Sequence, residues 1–250
     1  MSGIGTVGFF TFGVPPERYN LPHPPLNLPV ILLIRRVLVR AFEKLAERRF
    51  PLATELEDRI TEQLFNVIEN DLRQSGEVKG FTTRAYDRVV RHAQVTDYTG
   101  FKVAKTPDLS FKLRNDESEP RLVLSSHEAL FVECKPVDSN HPCASDYCDE
   151  GLLRFVNGHY AWAMEQALMI GYVRHGRTID KHLIPTMKES TRKATLKVLE
   201  MPKPLGLKSV AASNVCEALH VSKHQRGFPW PDCKGFATDI FVYHSWHRCE

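Results

Sequence analysis

The feature that most constrains the fold of this chain is a short apolar run that ends in alternating charges. Residues 129–132 read Ala-Leu-Phe-Val, and Glu133, Cys134 and Lys135 follow directly. An apolar run of this length is typical of a buried strand. Residues two apart on a strand share a face, so Glu133 and Lys135 project together while Cys134 turns away. We therefore expect a core strand that ends with a carboxylate and an ammonium group on one side.

A second strand is predicted upstream, where residues 109–113 alternate in polarity. Asp108 opens this strand. If the two strands pair, Asp108, Glu133 and Lys135 meet at one place, and two carboxylates beside an ammonium suit a hard divalent cation and a substrate phosphate. Two simpler interpretations need no metal. Asp108 could be a turn residue, because Pro-Asp pairs are frequent in turns. Glu133 and Lys135 could form a simple ion pair.

These two segments, Pro-Asp at 107–108 and Glu-Cys-Lys at 133–135, resemble the motif of the PD-(D/E)XK superfamily, the restriction-endonuclease-like nucleases. The resemblance covers residues 52–173. It implies an α/β fold in which helices flank a small mixed sheet. It also implies Mg²⁺, with Mn²⁺ as a substitute, and hydrolysis of a nucleic-acid phosphodiester that leaves a 5′-phosphate.

The resemblance assigns roles to four residues of the chain. Asp108 and Glu133 are expected to bind the cation, together with the backbone carbonyl of Cys134. Lys135 is expected to hold the attacking water or to offset the negative charge that builds on the phosphate. Its pKa responds to burial and to neighbouring charge, which suits a lysine to either task.

Glu57 is the candidate third acid of the site. A helix is predicted over residues 52–74, and at about 100° per residue its apolar side chains, Leu56 among them, form one stripe with Glu57 near its middle. An acid on that side favours an active-site role, and so does the resemblance. The alternative is a capping box, Thr54-x-x-Glu57, in which the glutamate bonds back to the helix start.

Three polar residues follow the motif in a predicted long helix over residues 150–173. Arg154, Asn157 and Tyr160 are three apart in turn and would form a line on one helical side. In similar nucleases such residues approach the scissile phosphate, so we expect these three to bind nucleic acid. A solvated surface is the alternative.

The order of predicted elements is α/β with a mixed sheet. Residues 1–50 form an N-terminal arm and a helix (30–49), and residues 51–250 form the nuclease domain with a basic C-terminal extension at 174–208. Segment 84–95 is either helix or strand. Further strands are predicted at 121–124 and 239–244, and Pro136 is expected to close the core strand.

Other classes of site have little support in the sequence. His141, Cys143 and Cys148 could be drawn into a zinc site, but no CxxC pair occurs and the spacings match no zinc pattern. No P-loop, dinucleotide fingerprint or Gly-x-Ser-x-Gly elbow is present. The C-terminal group His224, Arg226, His244 and His247 is interpreted as structural or phosphate-facing, without a catalytic role.

The sequence thus predicts a cytoplasmic Mg²⁺-dependent endonuclease that cleaves DNA, with RNA as an open alternative. No signal peptide or apolar span of about 20 residues is seen. The net charge of +3 is too small to indicate nucleic-acid binding by itself. Targeting by a homodimer or a partner protein is expected, as in the effector nucleases of microbial defence or restriction systems. The alternatives are a nuclease-like subunit that binds nucleic acid or protein without cutting, and a scaffold in which Glu133 and Lys135 merely pair.

Overall fold

The computed structural model describes residues 21–82, 86–99, 103–113, 127–208, 211–230 and 235–250. Two sequence predictions lie outside these ranges: most of the N-terminal arm and the strand at 121–124.

Five helical segments and nine strands form the described part of the chain. The helices are α1 (Leu28–Glu47), α2 (Glu57–Asn66, continuing as wider π-helical turns over Val67–Leu72 and ending with Arg73–Ser75), α3 (Cys143–Leu152, also π-helical, then Leu153–Val156), α4 (Ile179–Leu183 and Ile184–Lys188) and α5 (Ser190–Thr195). The strands are β1 (Tyr86–Arg91), β2 (Val95–Thr96), β3 (Val103–Lys105), β4 (Leu109–Leu113), β5 (Ala129–Val137), β6 (Gln166–Val173), β7 (Val198–Pro204), β8 (His220–His224) and β9 (Ile240–Arg248).

Seven of the strands form one mixed sheet in the order β1-β4-β5-β6-β9-β8-β7, and β2 and β3 pair separately. Strand β4 is antiparallel to both β1 and β5, whereas β5, β6 and β9 are parallel to one another. β8 and β7 close the far side antiparallel. The predicted α/β fold with a mixed sheet is confirmed, and strands from the C-terminal part of the chain belong to this same sheet.

Helices cover both faces of the sheet. On one face, Thr61 of α2 bonds the hydroxyl of Tyr172 at 2.8 Å, and the ring of Phe42 in α1 lies 5.9 Å from that of Tyr172. Met169, three residues earlier on β6, points to the opposite face. There α3 packs so closely that a Cβ added to Gly151 would lie 2.7 Å from the Met169 methyl carbon. Strands β5 and β6, between these layers, are buried along their whole length.

Several predicted elements match the structure. Helix α1 occupies the segment predicted at 30–49, and β4 spans the predicted 109–113. Segment 84–95 contains strand β1, not a helix, and the last predicted strand is β9. Within the described ranges no helix is both long and apolar enough to cross a membrane.

The long helix predicted over residues 150–173 is wrong. Helix α3 ends at Val156, Gly158 and Ala161 adopt positive φ angles of 69° and 54°, and Gln166–Val173 form β6. A segment buried on both faces lacks the alternation that marks a strand, so its apolar run cannot be told from a buried helix by periodicity. Pro136 does not end β5 either, because the strand continues to Val137.

Candidate active site

Asp108 and Glu133 lie where the pairing of β4 with β5 ends. Leu109, the first residue of β4, is paired with Val132 of β5; Asp108 directly precedes Leu109, and Glu133 directly follows Val132. Burial, and after it the charge of Asp108, raises the pKa of Glu133, so the two carboxylates lie close enough to interact. The backbone amide of Cys134 donates to Asp108 Oδ2 at 2.6 Å. Pairing of β4 with β5 thus brings together two acids that are distant along the chain.

Lys135 places its ammonium group between two of the acids. Its Nζ lies 2.9 Å from Glu57 Oε1 and 3.4 Å from Glu133 Oε1. Gly151 of α3 backs onto the stem of this lysine, since an added Cβ would lie 3.2 Å from Lys135 Cγ. The close approach of α3 therefore fixes the direction in which Lys135 extends.

Glu57 lies at the start of α2 and bonds Lys135, not the helix backbone. The helix begins at Glu57 itself, with Leu56 as the N-cap residue and no side-chain capping bond. Thr54 Oγ1 instead donates to the carbonyl of Pro51 at 3.4 Å. The capping-box interpretation is therefore wrong. The apolar stripe also began too early, because Leu56 is 74% exposed.

Arg154 and Tyr160 both bind Glu133. Arg154 Nη1 lies 2.7 Å from Glu133 Oε1, and the Tyr160 hydroxyl donates to Oε2. The predicted polar line with Asn157 is wrong, because α3 ends at Val156 and Asn157 is exposed beyond it. Tyr160 is fully buried, so its hydroxyl holds a carboxylate and does not face a nucleic-acid ligand.

We call Glu57, Asp108, Glu133, Lys135 and Arg154 the acidic cluster. Burial, and after it the charge of Asp108, raises the pKa of Glu133 from 4.5 to about 8. Burial also raises the pKa of Glu57 and of Asp108. For Lys135, burial alone would lower the pKa, but the charges of Glu133 and Glu57 outweigh it and raise the pKa to about 12.

The acidic cluster carries one unbalanced negative charge when all its groups are ionised, because three carboxylates face two cations. Glu133 is fully buried, whereas the side chains of Glu57 and Arg154 are 29% and 34% exposed. The cluster therefore opens to solvent between Glu57 and Arg154. Excess charge at low dielectric is unfavourable unless a proton on Glu133 or another cation balances it.

The donor atoms fit a magnesium-type ion that keeps water and phosphate ligands. No group of three His, Cys, Asp or Glu side chains in the described ranges forms a ready metal site. Mg²⁺ commonly uses only one or two carboxylates, with water and substrate oxygens filling its other positions. The amide of Cys134 faces Asp108, and the amide and carbonyl of one strand residue point to the same side. The Cys134 carbonyl is thus directed towards Asp108.

A second set of buried polar side chains lies on the sheet face that carries the acidic cluster. We call Tyr147, Ser222, His224 and His244 the histidine chain. Ser222 Oγ lies 2.8 Å from Nε2 of His224 and 2.8 Å from Nε2 of His244. The Tyr147 hydroxyl lies 3.0 Å from His244 Nδ1, and His224 Nδ1 lies 2.8 Å from the carbonyl oxygen of Leu196. Tyr147, Ser222, His224 and His244 are all buried, and their polar atoms bond within the protein.

The remaining candidate residues do not form a site. His247 and Arg226 are also buried, so the phosphate-facing interpretation of the C-terminal group is wrong and the structural one holds. Cys134 and the other four described cysteines are free and buried. Sequence reasoning missed the contact of Tyr160 with Glu133, for which a buried aromatic residue gives no signal, and it did not connect Tyr147 with the C-terminal histidines.

Comparison with protein-family models, curated proteins and solved structures found no match to this chain. A functional assignment therefore depends on the geometry of the site.

Proposed function

We propose that this protein is a Mg²⁺-dependent phosphodiesterase that cleaves a nucleic-acid backbone, with DNA as the preferred polymer. The observation that carries the proposal is the proximity of Asp108 and Glu133 at the end of the β4–β5 pairing, with the ammonium group of Lys135 3.4 Å from Glu133. Two neighbouring acids repel each other, and a divalent cation bound between them would remove that repulsion.

The order of elements around the site supports the proposal. Helix α2 precedes the antiparallel strands β1, β4 and β5, and helix α3 and the parallel strand β6 follow. A helix, antiparallel strands, a helix and a further strand is the order expected for the core of the nuclease superfamily that the motif resembles. The site lies where β5 meets the start of β4, so the resemblance and the topology point to the same residues.

Each residue of the cluster has a task in this reaction. When bound, Mg²⁺ would polarise the phosphoryl group and lower the pKa of a coordinated water. Lys135, a cation whose raised pKa keeps it protonated near neutral pH, offsets the negative charge that develops on the phosphate. Glu57 fixes the lysine through the 2.9 Å ion pair and faces the solvent opening, where it can orient a water.

Arg154 and Tyr160 position Glu133. Arg154 binds its Oε1 and Tyr160 donates to its Oε2, so together they fix the orientation of the carboxylate. Groups that orient a metal ligand in this way commonly change metal affinity by about 10- to 100-fold when removed. We therefore assign these two residues a positioning role.

The test is cleavage of plasmid and oligonucleotide DNA with Mg²⁺ or Mn²⁺ against a chelator control. We expect activity in the wild type and its loss in Asp108→Ala and Lys135→Ala. Asp58→Ala is the matched control, because Asp58 follows Glu57 on the same helical turn, is 75% exposed and pairs with Arg91. A metal-independent activity, or equal rates in all four proteins, would contradict the proposal. RNA of the same sequence tests the choice of polymer.

One observation favours a second candidate, a nuclease-like subunit that binds without cutting. Both oxygens of Glu133 already have partners in Arg154, Lys135 and Tyr160, which is enough for a charge network without a metal. In that case the protein binds nucleic acid but shows no metal-dependent cleavage. In either case, targeting through a second copy of the chain or a partner protein is part of the proposal, and size measurements in solution test it.

A further inference from the structure

A second concave surface lies beside the acidic cluster, and we call it the Tyr98 cleft. Segments 97–99, 156–159 and 227–229 line it, with Lys197 at its rim, and it encloses about 420 Å³. Sites for small organic groups usually occupy roughly 300–1,000 Å³. The cleft is therefore large enough for one planar group of that class.

One wall of the Tyr98 cleft is an aromatic stack. The rings of Tyr98 and Phe228 lie 4.5 Å apart and 21° from parallel. Gly158 lets the chain pass against this stack, because a Cβ added there would lie 2.6 Å from the Phe228 ring and 3.0 Å from Tyr98. Tyr98 is half-buried and lines the cleft, so part of its ring is presented to a planar ligand.

The rim of the cleft carries one cation. Lys197 is exposed, and a Cβ added to Gly227 would lie 2.9 Å from its Nζ. Its backbone is in the left-handed region with φ 47°, a strained conformation for a residue other than glycine and one that is enriched at functional sites. Among the described residues no carboxylate lies within ion-pair distance of this ammonium group. Lys197 is therefore available to a phosphate.

The cleft and the acidic cluster share one segment of chain. Arg154 binds Glu133, Asn157 lines the cleft three residues later, and Tyr160 again binds Glu133. Segment 154–160 therefore contributes side chains to both places, although Asn157 itself lies beyond the end of α3. This shared segment is our reason for placing the cleft and the acidic cluster on one substrate.

We propose that the Tyr98 cleft binds one unpaired nucleotide of the substrate, with the base stacked on Tyr98 and a phosphate held by Lys197. This inference rests on the proposed function for the position of the scissile bond. A base within an intact duplex has both faces stacked and cannot enter such a cleft, whereas a single strand or an extrahelical nucleotide can. The substrate class is therefore nucleic acid with an unpaired nucleotide next to the cleaved bond.

The test is equilibrium binding without metal of single-stranded DNA that carries 2-aminopurine at successive positions. We expect fluorescence quenching at one position and weak binding of the matched duplex. Tyr98→Ala should weaken binding by roughly tenfold, the scale of one lost base stack, and Tyr98→Phe should retain it. Lys197→Gln should lower the slope of log K against log salt by about 0.7, as expected for one phosphate contact on a single strand.

Two variants elsewhere serve as controls. Phe236→Ala removes an aromatic ring that is 73% exposed outside the cleft, and Lys203→Gln removes an exposed lysine that pairs with Glu200. Neither should change quenching or affinity. If Tyr98→Ala misfolds by circular dichroism, the position-specific quenching of the wild type and the salt slope of Lys197→Gln carry the test.

Equal affinity for duplex and single strand, absence of quenching, or a salt slope unchanged in Lys197→Gln would overturn the inference. Because the assay contains no metal and measures no cleavage, it separates the two proposals. A protein that binds single strands through Tyr98 but never cuts keeps this inference and loses the proposed function. A protein that cuts duplex DNA and ignores Tyr98 does the reverse.

Discussion

The acidic cluster and the histidine chain lie in one row across the sheet, on either side of Met169. Glu133 of β5 is paired with Met169 of β6, and Met169 with His244 of β9. Helix α3 covers both regions, with Gly151 near Lys135 and Tyr147 over His244. Secondary structure and covering helix are thus the same for both, so the two regions differ mainly in the charge and hydrogen bonding of their side chains.

The histidine chain is neutral and every donor in it has an acceptor. Burial lowers the pKa of His224 to about 4 and also lowers that of His244, so each ring has one N–H. His224 Nδ1 donates to Leu196, which leaves Nε2 to accept from the Ser222 hydroxyl. His244 Nε2 then donates to Ser222, and its Nδ1 accepts from Tyr147. The four side chains admit one consistent hydrogen-bond direction.

The acidic cluster lacks this balance. Three carboxylates face two cations, and burial together with the charge of Asp108 raises the pKa of Glu133 to about 8, so without metal the cluster is neutral only when Glu133 holds a proton. A polar network whose members satisfy one another is explained by stability alone. A cluster that takes up a proton or a metal cation to become neutral is a candidate binding site. This contrast supports our proposal that the acidic cluster is the functional region, whereas the hydrogen bonds of the histidine chain indicate a structural role.

The largest difference between the two regions is expected for Asp108→Asn, which should lower activity without lowering stability. The amide oxygen can still accept from Cys134, but a charged ligand is lost, so cleavage should fall by more than about 100-fold, beyond the usual effect of a group that only orients a ligand. The free energy of unfolding should stay level or rise, because repulsion with Glu133 is removed. Single-turnover cleavage and urea unfolding measure the two. Unfolding free energy that falls along with activity would assign Asp108 a structural role.

The two regions should also respond to pH in opposite directions in metal-free protein. The folded pKa of Glu133, about 8, lies above its ordinary value of 4.5, so its contribution to stability is full below 4.5 and is lost as the pH rises through 8. The pKa of His224 is lowered from 6.5 to about 4. Its contribution is present above 6.5 and is lost as the pH falls through 4.

Urea unfolding between about pH 4 and pH 9 tests these signs. Glu133→Gln should flatten the alkaline side of the stability curve, and His224→Gln should flatten the acid side. Lys135 should add no slope in this range, because its raised pKa, about 12, keeps it protonated throughout. If Glu133→Gln and His224→Gln both flattened the stability curve on the same side, acid or alkaline, the two regions would not differ in their response to pH.

How far the sequence predicts each region depends on how local its signal is. Strands β4 and β5 follow from short runs of residues, and the pairing of those strands brings Asp108 close to Glu133. The sequence predicts a helix where β6 lies, because burial on both faces of that strand removes the alternation. The same prediction places Tyr160 on a helix face, whereas in the structure the helix ends at Val156 and Tyr160 binds Glu133.

The histidine chain could not be predicted from local pattern. Its members come from α3, β8 and β9, and Tyr147, Ser222 and His244 meet only after a parallel crossover places β9 beside β6. Sequence patterns report which face a residue occupies. They do not report which strands become neighbours, and here that choice decides whether a histidine is buried or available.

A smaller effect, confined to stability, is expected for Ser222→Ala. Removing the hydroxyl leaves two buried ring nitrogens without a partner, so the free energy of unfolding should fall by about 1–3 kcal/mol. The rate of DNA cleavage should not change. Ser110→Ala is the matched control, because Ser110 is fully buried and its Oγ makes no hydrogen bond within the described ranges. A drop in stability for Ser110→Ala as large as that for Ser222→Ala would remove the argument from hydrogen bonding.

The smallest effects separate two fully buried tyrosines, one in each region. Tyr160→Phe removes a donor to Glu133, so Mn²⁺ affinity by calorimetry should fall by roughly tenfold, the lower end for groups that orient a ligand. Tyr147→Phe removes the donor to His244 and should lower the free energy of unfolding by about 1 kcal/mol without changing metal affinity. Because the lost group is the same hydroxyl at equal burial, only its partner differs. If both variants changed metal affinity alike, the acidic cluster could not be distinguished from the histidine chain as the site of function.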